Sequence, residues 1–332
     1  MFRILLLVWF SCALGFTPSR KGSSPVFLIC PGFGNDEIDY RNPLGRGEEV
    51  SFVSALGRRG IDAEVVAIKR LDWLRLLGPS ITQPVRFARN EMTAAILYKF
   101  YVDQVRAQLT ALEAQGRSVV LVGHSAGGWL VRELMTEADN VLGLVSLGTP
   151  HYPAQVNDAT RGALRNCNEV CPGPFKNGKF YVSVAGTAVK ANAAAKRGDM
   201  AYFANDAYLA VSGRVAETGM VGDGVVPLDF ALLEGSKQVV LNCYHSIQAP
   251  DDMWYGGEGV VDTWLPKVRR ELASSSITSG GGGSSVSIVR DGLGPWADSV
   301  LGKDVMRLVG ILSVTPYVAF IVKAVAAGLA AR

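Results

Sequence analysis

The chain has 332 residues, of which 48% are hydrophobic and 19% charged, and its net charge is +3. This length supports one large domain with a sizeable core and additional segments. The small net charge and the scattering of Lys and Arg along the chain argue against a nucleic-acid-binding surface. We therefore expect no nucleic acid among its partners.

The first residues form a predicted targeting segment. Residues 1–15 combine a basic start at Arg3 with a short apolar run and a small-residue end, as signal peptides do. Residues 16–24 begin with Phe16 and are basic and serine-rich, which resembles the bipartite plastid-targeting signals of algae with secondary plastids. We expect import into such a plastid, with secretion into the endomembrane system as the alternative.

Residues 25–273 predict one α/β domain. Apolar runs typical of strands lie near 26–30, 64–68, 118–122, 141–147, 179–184 and 238–243. Helical patterns lie between them, near 48–59, 90–115 and from 126 to about 138. This alternation favours a mostly parallel sheet with helices on both faces.

Two long inserts interrupt the alternation, at about 150–179 and 186–222. Both follow predicted strands, so they would cover the carboxyl ends of the strands, where α/β sheets place their sites. The second insert contains Tyr202, Phe203 and Tyr208. We interpret the inserts as a cap over a substrate pocket, with plain surface loops as the alternative.

The composition changes sharply at the end of the domain. Residues 274–287 are rich in Ser and Gly and predict a flexible linker. Residues 288–332 form an apolar tail, in which 308–331 is interrupted by Pro316 and by the charge of Lys323. This stretch could span a bilayer, lie on it as a hairpin, or dock back on the domain. We expect the tail to associate with a membrane surface.

Residues 123–127 read Gly-His-Ser-Ala-Gly, between the apolar run 119–122 and a helical pattern. A serine on such a strand-to-helix turn exposes its hydroxyl at the sheet edge, near the positive end of a helix. The pattern predicts that Ser125 is a nucleophile, with an ordinary glycine-rich turn as the alternative.

A serine hydroxyl needs a base, and the chain has three histidines. His245 follows the last strong strand, as the chain order serine, acid, histidine requires. His124 lies within the turn and is expected to point away from the hydroxyl. His151 follows another predicted strand and is interpreted as pocket-lining or structural. We predict that His245 is the base.

The base needs an acid that orients it. Asp223 lies between Ser125 and His245, in a Gly-Asp-Gly segment that turns out of a predicted strand. We predict that Asp223 is the acid, with Asp206 and Asp229 in reserve.

The oxyanion of the reaction needs two backbone N–H donors. Ala126 is predicted to supply one, because it follows the nucleophile. Phe33, in the glycine-rich loop at 31–36 after the first strand, is the first choice for the other, and Gly34 is the second.

Together these motifs resemble the lipases and esterases of the α/β-hydrolase superfamily. The resemblance covers residues of about 25–272 and rests on five segments: Pro-Gly-Phe-Gly at 31–34, the turn at 123–128, Leu-Gly-Thr-Pro at 147–150, Asp-Gly-Val-Val-Pro at 223–227, and His245. The segment 69–75 and the loop at 31–36 are further similar to cyanobacterial and plastid α/β-hydrolases and to GPI inositol deacylase-like lipases.

The resemblance implies an α/β-hydrolase fold and a serine hydrolase that cleaves carboxylic esters through an acyl-enzyme, without a metal or organic cofactor. A lipid or other hydrophobic ester is the expected substrate, which also fits the aromatic insert and the apolar tail. An acyltransferase with the same three residues and a non-catalytic, membrane-associated binding protein are the alternatives. A local disulfide between Cys167 and Cys171 also remains open.

Overall fold

The computed structural model of the protein describes residues 24–174, 178–214 and 219–278. The predicted signal peptide, the plastid-targeting segment up to residue 23, and the linker and tail from residue 279 onward lie outside these residues. Within the described ranges, no helix combines the length and apolar character needed to cross a bilayer.

A six-stranded parallel sheet forms the centre of the described domain. In chain order its strands are β1 (Val26–Cys30), β2 (Asp62–Val65), β3 (Val119–His124), β4 (Val141–Leu147), β5 (Phe180–Gly186) and β8 (Lys237–Leu241). Their spatial order is β2-β1-β3-β4-β5-β8. Two short strands, β6 (Val189–Lys190) and β7 (Val221–Gly222), form a separate antiparallel pair.

Helices connect the strands. The α-helices are α1 (Ile38–Arg41), α2 (Phe52–Gly57), α3 (Gly78–Thr82), α4 (Pro84–Ala88), α5 (Ala94–Leu97), α6 (Lys99–Ala114), α7 (Ala126–Leu130), α8 (Leu134–Glu137), α9 (Ala163–Val170), α10 (Met200–Ser212), α11 (Leu228–Ala231) and α12 (Glu258–Thr278). Short 3-10 helices cover Pro43–Gly45, Glu48–Val50, Arg70–Leu77 and Pro250–Asp252.

The central strands β1, β3, β4 and β5 are buried on both faces of the sheet, whereas the edge strands β2 and β8 are partly exposed. Successive side chains of a strand point to opposite faces. Leu28 and Leu121 belong to a core that includes the apolar side of α6. Phe27 and Val120 belong to a second core, which includes side chains of α2 and α12. Fully buried strands read as continuous apolar runs, which is why the pattern identified them. The predicted α/β fold, with a parallel sheet and helices on both faces, is confirmed.

Several predicted elements differ in their limits. The helix expected over 90–115 is divided into α5 and α6 at Tyr98, whose backbone is not helical (φ −110°, ψ 26°). The ring of Tyr98 packs edge-on against Trp129, 5.2 Å between centroids. This contact comes from tertiary structure, so periodicity along the chain could not reveal it. The helix expected from 126 to 138 is likewise two short helices, α7 and α8.

The two inserts contain structure of their own. The first insert holds α9, and the second holds β6, α10 and β7. The sequence suggested that the segment of Asp223 follows a strand of the main sheet, and the structure differs. The segment follows β7, which pairs with β6 outside that sheet.

Candidate active site

Ser125 occupies a strained turn between β3 and α7. Its backbone has φ 52° and ψ −130°, a combination that non-glycine residues rarely adopt. The Ser125 amide donates to the carbonyl of Leu147, at 2.9 Å, which ties the turn to β4. A Cβ added at Gly32 would lie 2.7 Å from the Cβ of Ser125, so the loop after β1 approaches this turn closely. These contacts hold a half-buried serine at the carboxyl edge of the sheet.

His245 and Asp223 are in direct contact. His245 Nδ1 lies 2.7 Å from Asp223 Oδ2, and the His245 amide donates to the Asp223 carbonyl oxygen at 2.9 Å. A carboxylate only accepts, so the Nδ1 nitrogen carries the proton, and the tautomer is assigned from this partner. The Nε2 nitrogen is then the one that can take up a proton during a reaction.

The Asp223 carboxylate is fully enclosed by hydrogen-bond donors. Its Oδ1 accepts from the amides of Val225 and Val226, at 2.9 and 2.7 Å, and its Oδ2 also accepts from the Tyr255 hydroxyl at 2.8 Å. Burial alone would raise the pKa of Asp223, but the charge of His245 and these hydrogen bonds outweigh it and lower the pKa below its usual range. The carboxylate is therefore ionised and fixed in orientation.

Tyr255 is a donor to this carboxylate that the sequence did not reveal. Burial and the charge of Asp223 raise the pKa of Tyr255 well above its usual value, so its hydroxyl keeps its proton. The same oxygen accepts from the Gly186 amide at 2.7 Å. Gly148, in the Leu-Gly-Thr-Pro motif, leaves space for the Asp223 carboxylate and the Tyr255 ring. A Cβ at Gly148 would lie 2.6 Å from Asp223 Oδ2.

The loop after β1, residues 31–36, lies beside the Ser125 turn. Because the sequence predicts that it binds the oxyanion, it is called the oxyanion loop below. The Asn35 amide donates to the Gly32 carbonyl at 3.0 Å, which makes a tight turn. Phe33 and Gly34 are its two central residues, and their amides are not part of the turn's own hydrogen bond. Ala126 is the first residue of α7, so its amide lacks a partner within the helix.

A buried ion pair fixes the far side of the oxyanion loop. Arg70 donates to the Gly34 carbonyl at 2.7 Å and makes two hydrogen bonds to Asp39, at 2.8 and 2.6 Å. Both side chains of the pair are 5% exposed, so water screens it little. Arg70 belongs to segment 69–75, where Asp72 accepts from the Lys69 amide at 2.9 Å, at the start of the 3-10 helix Arg70–Leu77.

His124 makes contacts that the sequence did not predict. Its Nε2 lies 3.0 Å from the carbonyl oxygen of His245, and its Nδ1 lies 2.8 Å from the Tyr40 hydroxyl. Burial and the nearby charge of His245 lower the pKa of His124 to about 3. The second position of G-x-S-x-G admits many residues, so the motif itself gives no signal for this role.

A second serine and histidine are also in contact. Ser146 Oγ lies 3.0 Å from His151 Nε2, but the two residues are 2% and 0% exposed. Burial and the charge of Arg132 lower the pKa of His151 well below its usual value. A substrate cannot reach this pair, so it is a buried polar contact between β4 and the first insert.

The reserve acids lie elsewhere. Asp229 pairs with Arg214 and has a side chain that is 60% exposed, and Asp206 is exposed on α10.

Cys167 and Cys171 are free thiols, and burial raises their pKa values to about 12 and about 11. No group of three or more His, Cys, Asp or Glu side chains within the described ranges is arranged to hold a metal ion.

Solved structures similar to this chain include hydrolases from several sources. A Bacillus licheniformis lipase in its mature form aligns over 76% of this chain and 95% of its own, with 15% identity and a TM-score of 0.46. A metagenomic carboxyl esterase aligns over 75% and 76%, with 12% identity and a TM-score of 0.47. A Paleococcus ferrophilus monoacylglycerol lipase aligns over 76% and 97%, with 11% identity and a TM-score of 0.37. No curated protein sequence matches the chain significantly.

The sequence model described as "Alpha/beta hydrolase family" matches residues 26–256, which is more than half of the chain. The match includes the oxyanion loop, the Ser125 turn, Asp223 and His245. The predicted superfamily is thereby confirmed, whereas the narrower similarity to plastid and GPI inositol deacylase-like proteins remains a prediction. The chain belongs to the alpha/beta hydrolase family.

Proposed function

We propose that this protein is a serine hydrolase that cleaves carboxylic esters, with Ser125, His245 and Asp223 as its catalytic residues. The contact between Asp223 and His245, 2.7 Å between the carboxylate and Nδ1, is the observation that carries the proposal. It leaves Nε2 of a buried histidine available as a base, on the same sheet edge as the strained Ser125 turn. Membership of the alpha/beta hydrolase family supports the same reaction class.

The proposed reaction proceeds in two halves. Nε2 of His245 takes the proton of Ser125 Oγ as that oxygen attacks the ester carbonyl, and ionised Asp223 stabilises the resulting imidazolium. The amides of Phe33 and Ala126 bind the oxyanion of the tetrahedral intermediate. His245 then gives its proton to the leaving alcohol. Water repeats the steps on the acyl-enzyme and releases the carboxylic acid and the free serine.

The proposed substrate is a lipid or another hydrophobic ester. Its support is the surface of α10, on which Met200, Phe203 and Leu209 are 50%, 57% and 39% exposed. A Cβ added at Gly224 would lie 3.8 Å from Met200 Cε, so the start of α10 lies beside the segment that follows Asp223. We propose that the two inserts form a cap whose apolar side chains contact the acyl chain.

Two terminal segments, of which the structure describes only Ser24, complete the proposal. Residues 1–24 direct the protein to a plastid, and residues 288–332 attach it to a membrane surface. A fluorescent fusion of residues 1–25 tests the first statement. Plastid fluorescence is expected, and secretion of the fusion would reject plastid import.

The direct test of the proposed function is hydrolysis of p-nitrophenyl esters of increasing chain length. Ser125→Ala should lower turnover at least about 10³-fold, because the nucleophile is lost. Ser146→Ala is the matched control, since it removes the other serine in contact with a histidine, and it should retain activity. Full activity of Ser125→Ala would contradict the proposal, and loss of activity only in Ser146→Ala would move the site to His151.

A further inference from the structure

Two buried side chains that the proposed reaction does not use connect the oxyanion loop to the segment of His245. The Tyr40 hydroxyl accepts a hydrogen bond from the Gly32 amide at 3.0 Å and another from Asn35 Nδ2 at 2.9 Å. Both donors belong to the oxyanion loop. The Tyr40 hydroxyl also lies 2.8 Å from His124 Nδ1.

The directions of these hydrogen bonds follow from the donors and acceptors available. A tyrosine hydroxyl has one proton, and here its oxygen already accepts from Gly32 and Asn35. Its proton therefore goes to His124 Nδ1, which must be the unprotonated nitrogen. The proton of His124 is then on Nε2, which donates to the carbonyl oxygen of His245 at 3.0 Å. Asn35 Nδ2 also lies 3.5 Å from His124 Nδ1, as a second donor facing that nitrogen. With the Asn35 amide oriented as the donor, this arrangement gives each group in the network a partner.

The hydrogen bond from His124 Nε2 to the His245 carbonyl oxygen is one of three that hold His245 in place. The His245 amide donates to the Asp223 carbonyl at 2.9 Å, and His245 Nδ1 donates to the Asp223 carboxylate. The bond from His124 fixes the remaining polar group of the His245 backbone. The two imidazole rings lie 4.8 Å apart between centroids.

Only neutral His124 can make these contacts. A second proton would occupy Nδ1, end the acceptance from Tyr40, and place a positive charge beside His245 when that residue becomes an imidazolium. His124 is 2% exposed, and burial lowers its pKa to about 3, so it stays neutral where hydrolases work.

We propose that His124 and Tyr40 are positioning residues that set the distance between the oxyanion loop and His245. Through this pair, the Phe33 amide and the base are held around one tetrahedral intermediate, while neither His124 nor Tyr40 contacts the substrate. The inference rests on the proposed function, because it assigns these residues a role in the same reaction.

The sharpest variant is Tyr40→Phe. It removes one hydroxyl and keeps the ring, which packs against Trp254 at 6.2 Å and against His124 at 5.9 Å between centroids. Tyr181→Phe is the matched control, because Tyr181 is also a buried tyrosine but lies on β5, outside the oxyanion loop and both inserts. His124→Leu removes both nitrogens, whereas His124→Gln keeps one acceptor and one donor.

Two rates are measured for each variant, with thermal unfolding alongside. One is the labelling of the protein by a fluorophosphonate, and the other is turnover of p-nitrophenyl butyrate. We expect Tyr40→Phe and His124→Leu to lower kcat and the labelling rate about 10- to 100-fold with KM unchanged, as for a small misplacement of reacting groups. The double variant should be no slower than the slower single variant, because both break one connection. His124→Gln should recover part of the loss.

Wild-type rates in Tyr40→Phe would overturn the positioning role. An equal loss of rate in Tyr181→Phe at equal loss of melting temperature would also overturn it, because the effect would then be general destabilisation. A wild-type protein that the probe does not label would contradict the proposed function itself, and the positioning role with it.

Side-chain ¹⁵N NMR gives a readout that needs no activity. His124 should appear as the neutral Nε2–H tautomer from about pH 5 to pH 8. Titration of His124 near its ordinary pKa of about 6.5 would overturn the hydrogen-bond directions on which the proposal depends.

Discussion

Asp223 and His124 show how much of this site is decided by single residues. Asp223 is a buried carboxylate with donors on both oxygens, and His124 is a buried imidazole with a partner on each nitrogen. Each is held in one protonation state, the first ionised and the second neutral. The proposed base, His245, therefore has an ionised partner at Asp223 and a neutral neighbour at His124.

Asp223→Asn should lower ester turnover by about 10³- to 10⁴-fold while the protein remains folded. An asparagine can turn its NH₂ toward His245 and so favour the tautomer with the proton on Nε2, which cannot accept the serine proton. Asp229→Asn is the control, since Asp229 is an exposed acid paired with Arg214. Turnover and circular dichroism of both variants provide the check. A large loss in Asp229→Asn with normal turnover in Asp223→Asn would reverse the assignment.

Stability should fall as the solution becomes acidic, from neutral pH downward. In the folded protein the pKa of His124 is about 3 and that of His151 is also lowered, whereas in the unfolded chain both are near 6.5. Below about pH 6.5 the unfolded chain binds protons that the folded protein does not. Each histidine should then lower the free energy of unfolding by about 1.4 kcal/mol per pH unit, until its folded pKa is reached.

Urea denaturation between pH 7 and pH 5 measures this dependence. The wild-type protein should lose stability with a slope that rises toward about two protons from these histidines as the pH falls to 5, and His124→Gln should reduce the slope there by about one. An unchanged slope in His124→Gln would show that His124 binds protons equally in the folded and unfolded protein.

The sequence could identify candidate residues whose chemistry has a local pattern, and their catalytic roles stay predictions. Ser125 lies in a pentapeptide with a defined turn, and His245 and Asp223 follow it in the required chain order. The contact of Tyr40 with His124 could not be predicted, because it joins residues 84 positions apart and depends on how the first loop folds back. Arg70 and Tyr255 were missed for the same reason.

The helices and strands divide in the same way, into those with a local sequence pattern and those set by contacts between distant residues. The four central strands, β1, β3, β4 and β5, were predicted because both of their sides are apolar, which leaves a continuous run in the sequence. The strands β6 and β7, of two residues each, are too short for any periodicity, so the separate sheet beside Asp223 was not expected. The division of α5 from α6 lies at Tyr98, whose ring packs against Trp129, a contact between residues distant in the chain.

Helix α10 is the element that we expect to select the substrate. Phe203→Ser removes an aromatic ring that is 57% exposed on this helix. It should lower kcat/KM for a long-chain ester about 3- to 10-fold, through lost apolar contact, and leave acetate ester hydrolysis unchanged. Val240→Ser is the control, because Val240 is 51% exposed on the edge strand β8. Equal effects on both chain lengths would remove α10 from the substrate pocket.

The whole molecule combines a hydrolase domain with a C-terminal extension. Helix α12 continues to Thr278, into the segment predicted as linker, and packs on the same face of the sheet as α2. The apolar tail begins beyond it and lies outside the described residues. The prediction of membrane attachment therefore concerns a segment separate from the catalytic elements.

A chain shortened to residue 278 should keep its turnover of soluble esters, because all proposed catalytic residues and α12 are retained. It should no longer sediment with lipid vesicles, since it lacks the apolar tail. Vesicle sedimentation of full-length and shortened protein is the measurement. Equal sedimentation of the two would place the membrane contact in the hydrolase domain.

The central claim, that Ser125 is the nucleophile of an ester hydrolase, is tested most directly by the site of its covalent adduct. The wild-type protein is treated with a fluorophosphonate, digested, and analysed by mass spectrometry. The adduct should lie on Ser125, should be absent in Ser125→Ala, and should form far more slowly in His245→Gln. An adduct on Ser146, or undiminished labelling of Ser125→Ala, would contradict the account.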